Sequence, residues 1–212
     1  MPIITALEPQ KRNKDRVNVH LDGEFAFGLS AEVALGLRIG QSLDEEAIAA
    51  IQDEEAYERA KKSAFRFLSY RPRSVTEVRQ NLLGKEYDPV LVERVIDYLR
   101  HNDYLDDEAF AHYWVEQREA FKPRSRFALR QELYQKGVAR AVIDQAVEDV
   151  NETAAAERAA AKRARRWAHL PYDEFRQKVA GYLQRRGFKY AIVKPVVKKV
   201  WQELNNDEQS AP

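Results

Sequence analysis

Residues 92–99 read Val92-Glu93-Arg94-Val95-Ile96-Asp97-Tyr98-Leu99. Apolar side chains stand at i, i+3, i+4 and i+7, which is one face of an α-helix. The same stripe returns as Ile143, Ala146, Val147 and Val150, and again as Val193, Val196, Val197 and Val200. The offset is 51 residues from the first copy to the second and 50 from the second to the third. Self-similarity at such a period marks a repeat architecture.

Upstream of each stripe lies another helical pattern, at residues 74–83, 125–136 and 173–186, each preceded by Pro72, Pro123 or Pro171. These middle helices keep register at Leu82, Leu133 and Leu183 and at Val78, Leu129 and Val179. Leading helices are expected over residues 57–68, 106–119 and 154–168, so each unit has three helices. One such unit can hardly bury its apolar face alone, and neighbours are expected to stack. Ser74 with Glu77 forms a capping box. Gly137 and Gly187 stand where a C′ glycine belongs, and the first copy carries Glu86 there. Pro195 should kink the last helix or delay its start.

The first 29 residues differ. Val17, Val19 and Leu21 alternate with polar residues, Asp22-Gly23 follows, and Phe25, Phe27 and Leu29 alternate again. Asp-Gly between two period-2 runs specifies a tight β-hairpin. An earlier run, residues 3–7, is a candidate third strand. A short helix is expected over residues 31–35 and a long one from Ser42 or Asp44 to about Leu68. The fold class expected is mainly α: tandem three-helix repeats behind a small N-terminal β-hairpin extension. The expected boundaries are 1–29 for the hairpin, 30–103 for a helical lead-in and the first repeat, 104–152 for the second repeat and 153–204 for the third. Residues 205–212 form a polar tail, expected to be disordered.

The 212 residues include no Cys, so no disulfide, thiolate nucleophile or Cys-based zinc site is available. No stretch of 18 apolar residues offers a membrane span. The Met1-Pro2-Ile3-Ile4 start lacks the basic and apolar regions of a signal peptide. A soluble cytoplasmic protein is the expectation. Charge is polarised although the net is only +1. Residues 41–110 hold 10 Lys/Arg against 16 Asp/Glu, and residues 154–204 hold 13 against 4. Such polarity steers association.

Nothing argues for catalysis. No G-x-x-x-x-G-K phosphate loop and no G-x-S-x-G nucleophile elbow occur. Glu108, His112 and Glu116 share a helix face, but three ligands from one helix leave a metal without a second wall, and a solvated ion-pair face is the plainer reading. Among Asp103, Asp106, Asp107 and Glu108 the EF-hand spacing is missing, and Asp106 or Asp107 is expected to cap the following helix. No cofactor and no metal is expected. Trp114, Trp167 and Trp201 sit among apolar neighbours as core residues.

The positive signal is the basic third. Arg158, Lys162, Arg163, Arg165 and Arg166 fall on one expected helix, with 158, 162, 165 and 166 on one face. Arg185, Arg186, Lys189, Lys194, Lys198 and Lys199 add to them. Together these are the candidate partner- or DNA-binding residues, able to neutralise phosphates or to dock an acidic protein. An ordinary solvated surface is the alternative.

Two segments carry a family resemblance. One is Arg71-Pro72-Arg73-Ser74 ahead of the first stripe. The other is Tyr104-Leu105-Asp106-Asp107-Glu108-Ala109-Phe110-Ala111, followed by Lys122-Pro123-Arg124-Ser125 and then by Glu132-Leu133-Tyr134-Gln135-Lys136-Gly137-Val138. In this order they resemble the RecX family, over roughly residues 55–204. Asn102-Asp103 and Glu86 depart from it where glycines are common. The hairpin is similar to an extension found in some members. The resemblance implies a curved, elongated array of three-helix repeats. It also implies a non-enzymatic regulator that binds the RecA recombinase filament and suppresses its ATPase, strand-exchange and coprotease activities. Single- or double-stranded DNA is a further implied partner, and a membrane is not. The alternative reading is a nucleic-acid-binding helical module that acts without a recombinase.

Overall fold

A two-residue turn at Asp22-Gly23, with φ of 52° and 89°, joins β2 (Arg16–Leu21) to β3 (Glu24–Ser30). Asp tolerates this left-handed conformation and Gly adopts it freely, which is why this dipeptide makes the hairpin. With β1 (Ile4–Pro9) they form a three-stranded antiparallel sheet in the order β1-β2-β3. The hairpin is thus part of a meander. A bulge between Val19 and His20 pairs Val19 with Phe27 and His20 with Phe25. The extra residue, Ala26, turns Phe25 away from the core face. Phe25 is therefore exposed, edge-on to His20, while Ile4, Val19 and Leu29 are buried.

The computed structural model describes residues 1–209. They carry ten α-helices: α1 (Ala31–Ala34), α2 (Glu45–Leu68), α3 (Val75–Leu83), α4 (Pro89–His101), α5 (Asp107–Phe121), α6 (Arg126–Gln135), α7 (Arg140–Ala146), α8 (Glu152–Ala164), α9 (Tyr172–Gln184) and α10 (Tyr190–Gln209). Two compact units result, residues 1–72 with 77–105, and residues 73–76 with 106 onward.

In the first unit Ala34 and Leu43 complete the core under the sheet, and Ala47, Ile48 and Ile51 of α2 pack against it. Glu55 lies one turn further along that stripe and is buried, 6% exposed. Its carboxylate accepts from Ser30 N–H at 2.5 Å and from Arg16 Nη1 at 2.8 Å. Further along, α2 packs on α4, where the whole 92/95/96/99 stripe is buried.

In the second unit each repeat has its own core. One is Phe110, Ala111 and Val115 of α5 with Leu129, Leu133, Ile143 and Val147. The other is the alanine stripe of α8 with Phe175, Val179, Leu183 and the α10 valines. The expected stacking of apolar faces is therefore not what joins them. Each set of three helices already closes over its own stripe, and the junction is made by hydrogen bonds together with the close approach of Gly187 to Ser125 and Ala128. Ser125 N–H donates to Arg186 O at 3.1 Å and Arg186 Nη1 to Pro123 O at 2.9 Å. Arg126 N–H donates to Glu152 Oε1 at 2.9 Å.

Helix ends follow one device. After α3, α6 and α9 the chain turns back so that Tyr87, Val138 and Phe188 N–H donate to Leu82, Leu133 and Leu183 O. This closure needs a left-handed residue, supplied by Glu86, Gly137 and Gly187 with φ of 63°, 76° and 89°. Glu86 alone carries a Cβ into that region. Glu86→Gly is expected to raise stability by about 0.5–1 kcal/mol, checked by the urea midpoint at unchanged m-value.

Two helix boundaries differ from the sequence expectation. α8 ends at Ala164 and residues 165–167 form a 3-10 turn, so Arg165 and Arg166 leave the helix face shared by Arg158 and Lys162. α10 starts at Tyr190, ahead of Pro195, and continues through it. Pro195 is the sixth residue of this helix, so the bond its ring removes is the one an N–H there would make to Ala191 O. The same helix extends to Gln209, over part of the stretch expected to be a disordered tail; residues 210–212 lie outside the described residues.

Candidate docking surface

The residues of the two familiar segments fold into the scaffold. Arg71 forks onto Glu77 at 2.8 and 3.1 Å and reaches Pro72 O at 2.7 Å. Arg73 is half-buried. Ser74 is fully buried, and its hydroxyl donates to Lys136 O at 2.6 Å. Tyr104 stands edge-on to Phe65 at 4.9 Å, and Leu105 and Phe110 are buried. Asp106 caps α5 by accepting from Glu108 N–H, as its position predicts, and Asp107 accepts from Val75 N–H at 2.9 Å. Lys136 lies over the Trp114 ring at 5.3 Å. Gly137 packs so tightly on Thr76 that a Cβ there would overlap its side chain.

Glu132 is a centre that sequence reasoning passed over. Its carboxylate accepts from Trp114 Nε1 at 2.8 Å and Arg118 Nε at 2.7 Å, and it pairs with Arg124 at 2.6 Å. The sequence signal was its place between Arg130 and Leu133 on α6, beside the buried face. Trp167 and Trp201 pack half-buried at the third core, consistent with core residues. Among the described residues no group of three or more His, Asp or Glu side chains is disposed to hold a metal ion.

The candidate cations of the third repeat divide into two kinds. Three are engaged. Arg158 pairs with Glu119 at 3.0 Å. Arg186 is held at Pro123 O and stacks over Tyr182 at 4.7 Å, with Arg163 over the same ring at 5.8 Å. Lys199 pairs with Glu157 of α8 at 2.8 Å, and that hydrogen bond holds its ammonium pKa above the ordinary lysine value. By contrast Lys162, Arg165, Arg166, Arg185, Lys189, Lys194 and Lys198 are exposed and form no ion pair among the described residues. They do not make one face. Lys162 follows Arg158 on one flank of α8, whereas Glu157 and Lys199 close the other. Lys194 and Lys198, a helical turn apart, lie on the flank of α10 away from Lys199, and Lys194 lines a groove against α9.

No helix among the described residues is long and apolar enough to cross a membrane. The chain matches four family models in order. Residues 2–44 match the regulatory protein RecX N-terminal domain, and residues 60–99, 106–147 and 151–197 match the first, second and third RecX three-helix domains. It is 33% identical to regulatory protein RecX of Clostridioides difficile, covering 98% of this chain and 99% of that one. It is 31% identical to regulatory protein RecX of Bacillus subtilis, covering 99% of this chain and 81% of the relative. A crystal structure of regulatory protein RecX superposes with a TM-score of 0.71 at 29% identity, covering 92% of this chain and 98% of the other. The RecX of Lactobacillus salivarius, at 20% identity and a TM-score of 0.59, shares the fold. With every repeat matched in sequence order and near-full-length relatives at this identity, the chain belongs to the RecX family of regulatory proteins.

Proposed function

We propose that this protein binds the RecA recombinase filament on DNA in the cytoplasm and inhibits its ATPase, strand-exchange and coprotease activities. It would thereby modulate recombination, DNA repair and the SOS response. It acts by occupying a surface and carries out no reaction of its own. The observation that supports this most is the ordered match of all four RecX domains along the chain. The engaged family-segment residues then serve as scaffold, and the exposed side chains that differ between repeats are left to meet the partner. The test is ATP hydrolysis by RecA of the same source on single-stranded DNA. Hydrolysis is expected to fall as the protein approaches equimolar, and unchanged hydrolysis there would sink the proposal. In the variant Lys162→Glu with Arg166→Glu, inhibition that survives intact removes these two cations from the docking surface.

A second reading, direct nucleic-acid binding without a recombinase, is favoured by the exposed cations of the third repeat that hold no ion pair among the described residues. It predicts DNA affinity that falls steeply with salt, because each neutralised phosphate releases counterions.

A further inference from the structure

The three repeats are alike at their stripes and differ across one groove. In the first repeat Arg79 on the middle helix grips Glu93 on the last helix at 2.6 and 2.9 Å. In the second, Arg130 grips Asp144 at 2.9 Å. These are equivalent positions, 51 residues apart in both helices. Each bridge spans the valley between the second and third helices of its repeat. Fifty residues further on, Arg130 corresponds to Ala180 and Asp144 to Lys194. One turn later on the last helix, Asp97 and Glu148 correspond to Lys198. The third repeat has thus lost the arginine that spans the valley and has reversed the charge of its far wall.

In the third repeat an open groove of about 460 Å³ lies between α9 and α10. Its floor is Ala180, Val193 and Val197, and its walls include Tyr172, Tyr190 and Lys194. Tyr172 is 40% and Tyr190 60% exposed. Tyr172 is braced from behind by Trp201, whose ring lies 5.4 Å away and packs in turn on buried Phe175. Asp173 and Arg176 on α9 pair with each other at 3.4 Å along the same side. The groove therefore offers two aromatic side chains, one of them braced by Trp201, next to Lys194 and Lys198, neither of which is in an ion pair among the described residues.

We infer that the α9–α10 groove of the third repeat binds single-stranded nucleic acid, with bases stacking on Tyr172 and Tyr190 and phosphates meeting Lys194 and Lys198. Stacking needs bases free of a duplex, and aromatic faces beside a cationic track are how such strands are held without sequence preference. The inference rests on the second reading above and gives it a site. It does not depend on RecA.

The decisive variant restores the arrangement of the second repeat: Ala180→Arg with Lys194→Asp. Both changes are at the surface of the groove, and the second repeat shows that this scaffold accepts the pair. Circular dichroism and the thermal midpoint confirm folding. Binding of fluorescently labelled oligo(dT) to the full chain is followed by anisotropy. The bridged variant is expected to bind at least about tenfold more weakly, and Tyr190→Ala about fivefold or more weakly. Wild-type protein that fails to bind oligo(dT), or a bridged variant that binds like wild type, overturns the inference. So does poly-glutamate or matched duplex that competes as well as oligo(dT), since only charge would then be read. Inhibition of RecA ATPase by the same variants is measured in parallel. Loss of oligo(dT) binding with inhibition retained supports the groove and leaves the filament proposal standing. If wild-type protein binds oligo(dT) through the groove and leaves RecA unaffected, the filament proposal alone falls.

Discussion

Gly187→Ala is expected to destabilise the second unit by about 2–5 kcal/mol. Two costs add. The residue sits at φ of 89°, where a Cβ costs about 1–2 kcal/mol. The new methyl would also overlap Ser125 Oγ and come within 2.9 Å of Ala128 Cβ. Ser125 is buried, caps α6 at Ala128 N–H and donates its own N–H to Arg186 O. It cannot yield without breaking the junction of the second and third repeats. The same geometry recurs at Gly137 against Thr76, beside buried Ser74. Urea unfolding measures the loss. A change within about 0.5 kcal/mol, the range of ordinary surface substitutions, would show that the close approach is not what holds this corner.

Glu55→Ala carries the other large effect, a loss of about 2–4 kcal/mol in the first unit. Its carboxylate satisfies Ser30 N–H at the end of β3 and Arg16 on β2, and it does so from the middle of α2. Removal leaves a buried donor and a partly buried guanidinium without their acceptor. Arg16 keeps its second bond to Gly28 O at 2.8 Å and is partly exposed, which limits the cost. Glu55→Gln keeps an acceptor for Ser30 and should lose less. Combining Glu55→Ala with Arg16→Met should recover part of the loss, because no lone charge then remains. A double-mutant cycle with zero coupling would contradict this account.

Periodicity alone located the repeats, and the stripe residues of all three are buried. The Asp-Gly turn and the glycine positions were legible because backbone chemistry leaves few alternatives at positive φ. Other features depend on three-dimensional partners and left weak traces. The bulge that turns Phe25 outward comes from strand pairing, not from alternation. Glu55 sits in the apolar phase of α2, a signal visible only once its partners are known. α8 gives way to a 3-10 turn within an unbroken Ala/Arg-rich run, so the basic residues could not be assigned to one face from spacing. The family segments stood out in the sequence because they build caps and junctions. The open groove, in contrast, shows only in what the third repeat lacks relative to the first two.

Engagement of a RecA filament is the proposal on which the function rests. Co-sedimentation with RecA assembled on long single-stranded DNA tests it most directly, with DNA alone as the parallel sample. The protein is predicted to pellet with the RecA filament well beyond the amount carried down by DNA alone. Equal amounts in the two pellets, or protein left in the supernatant, would contradict it.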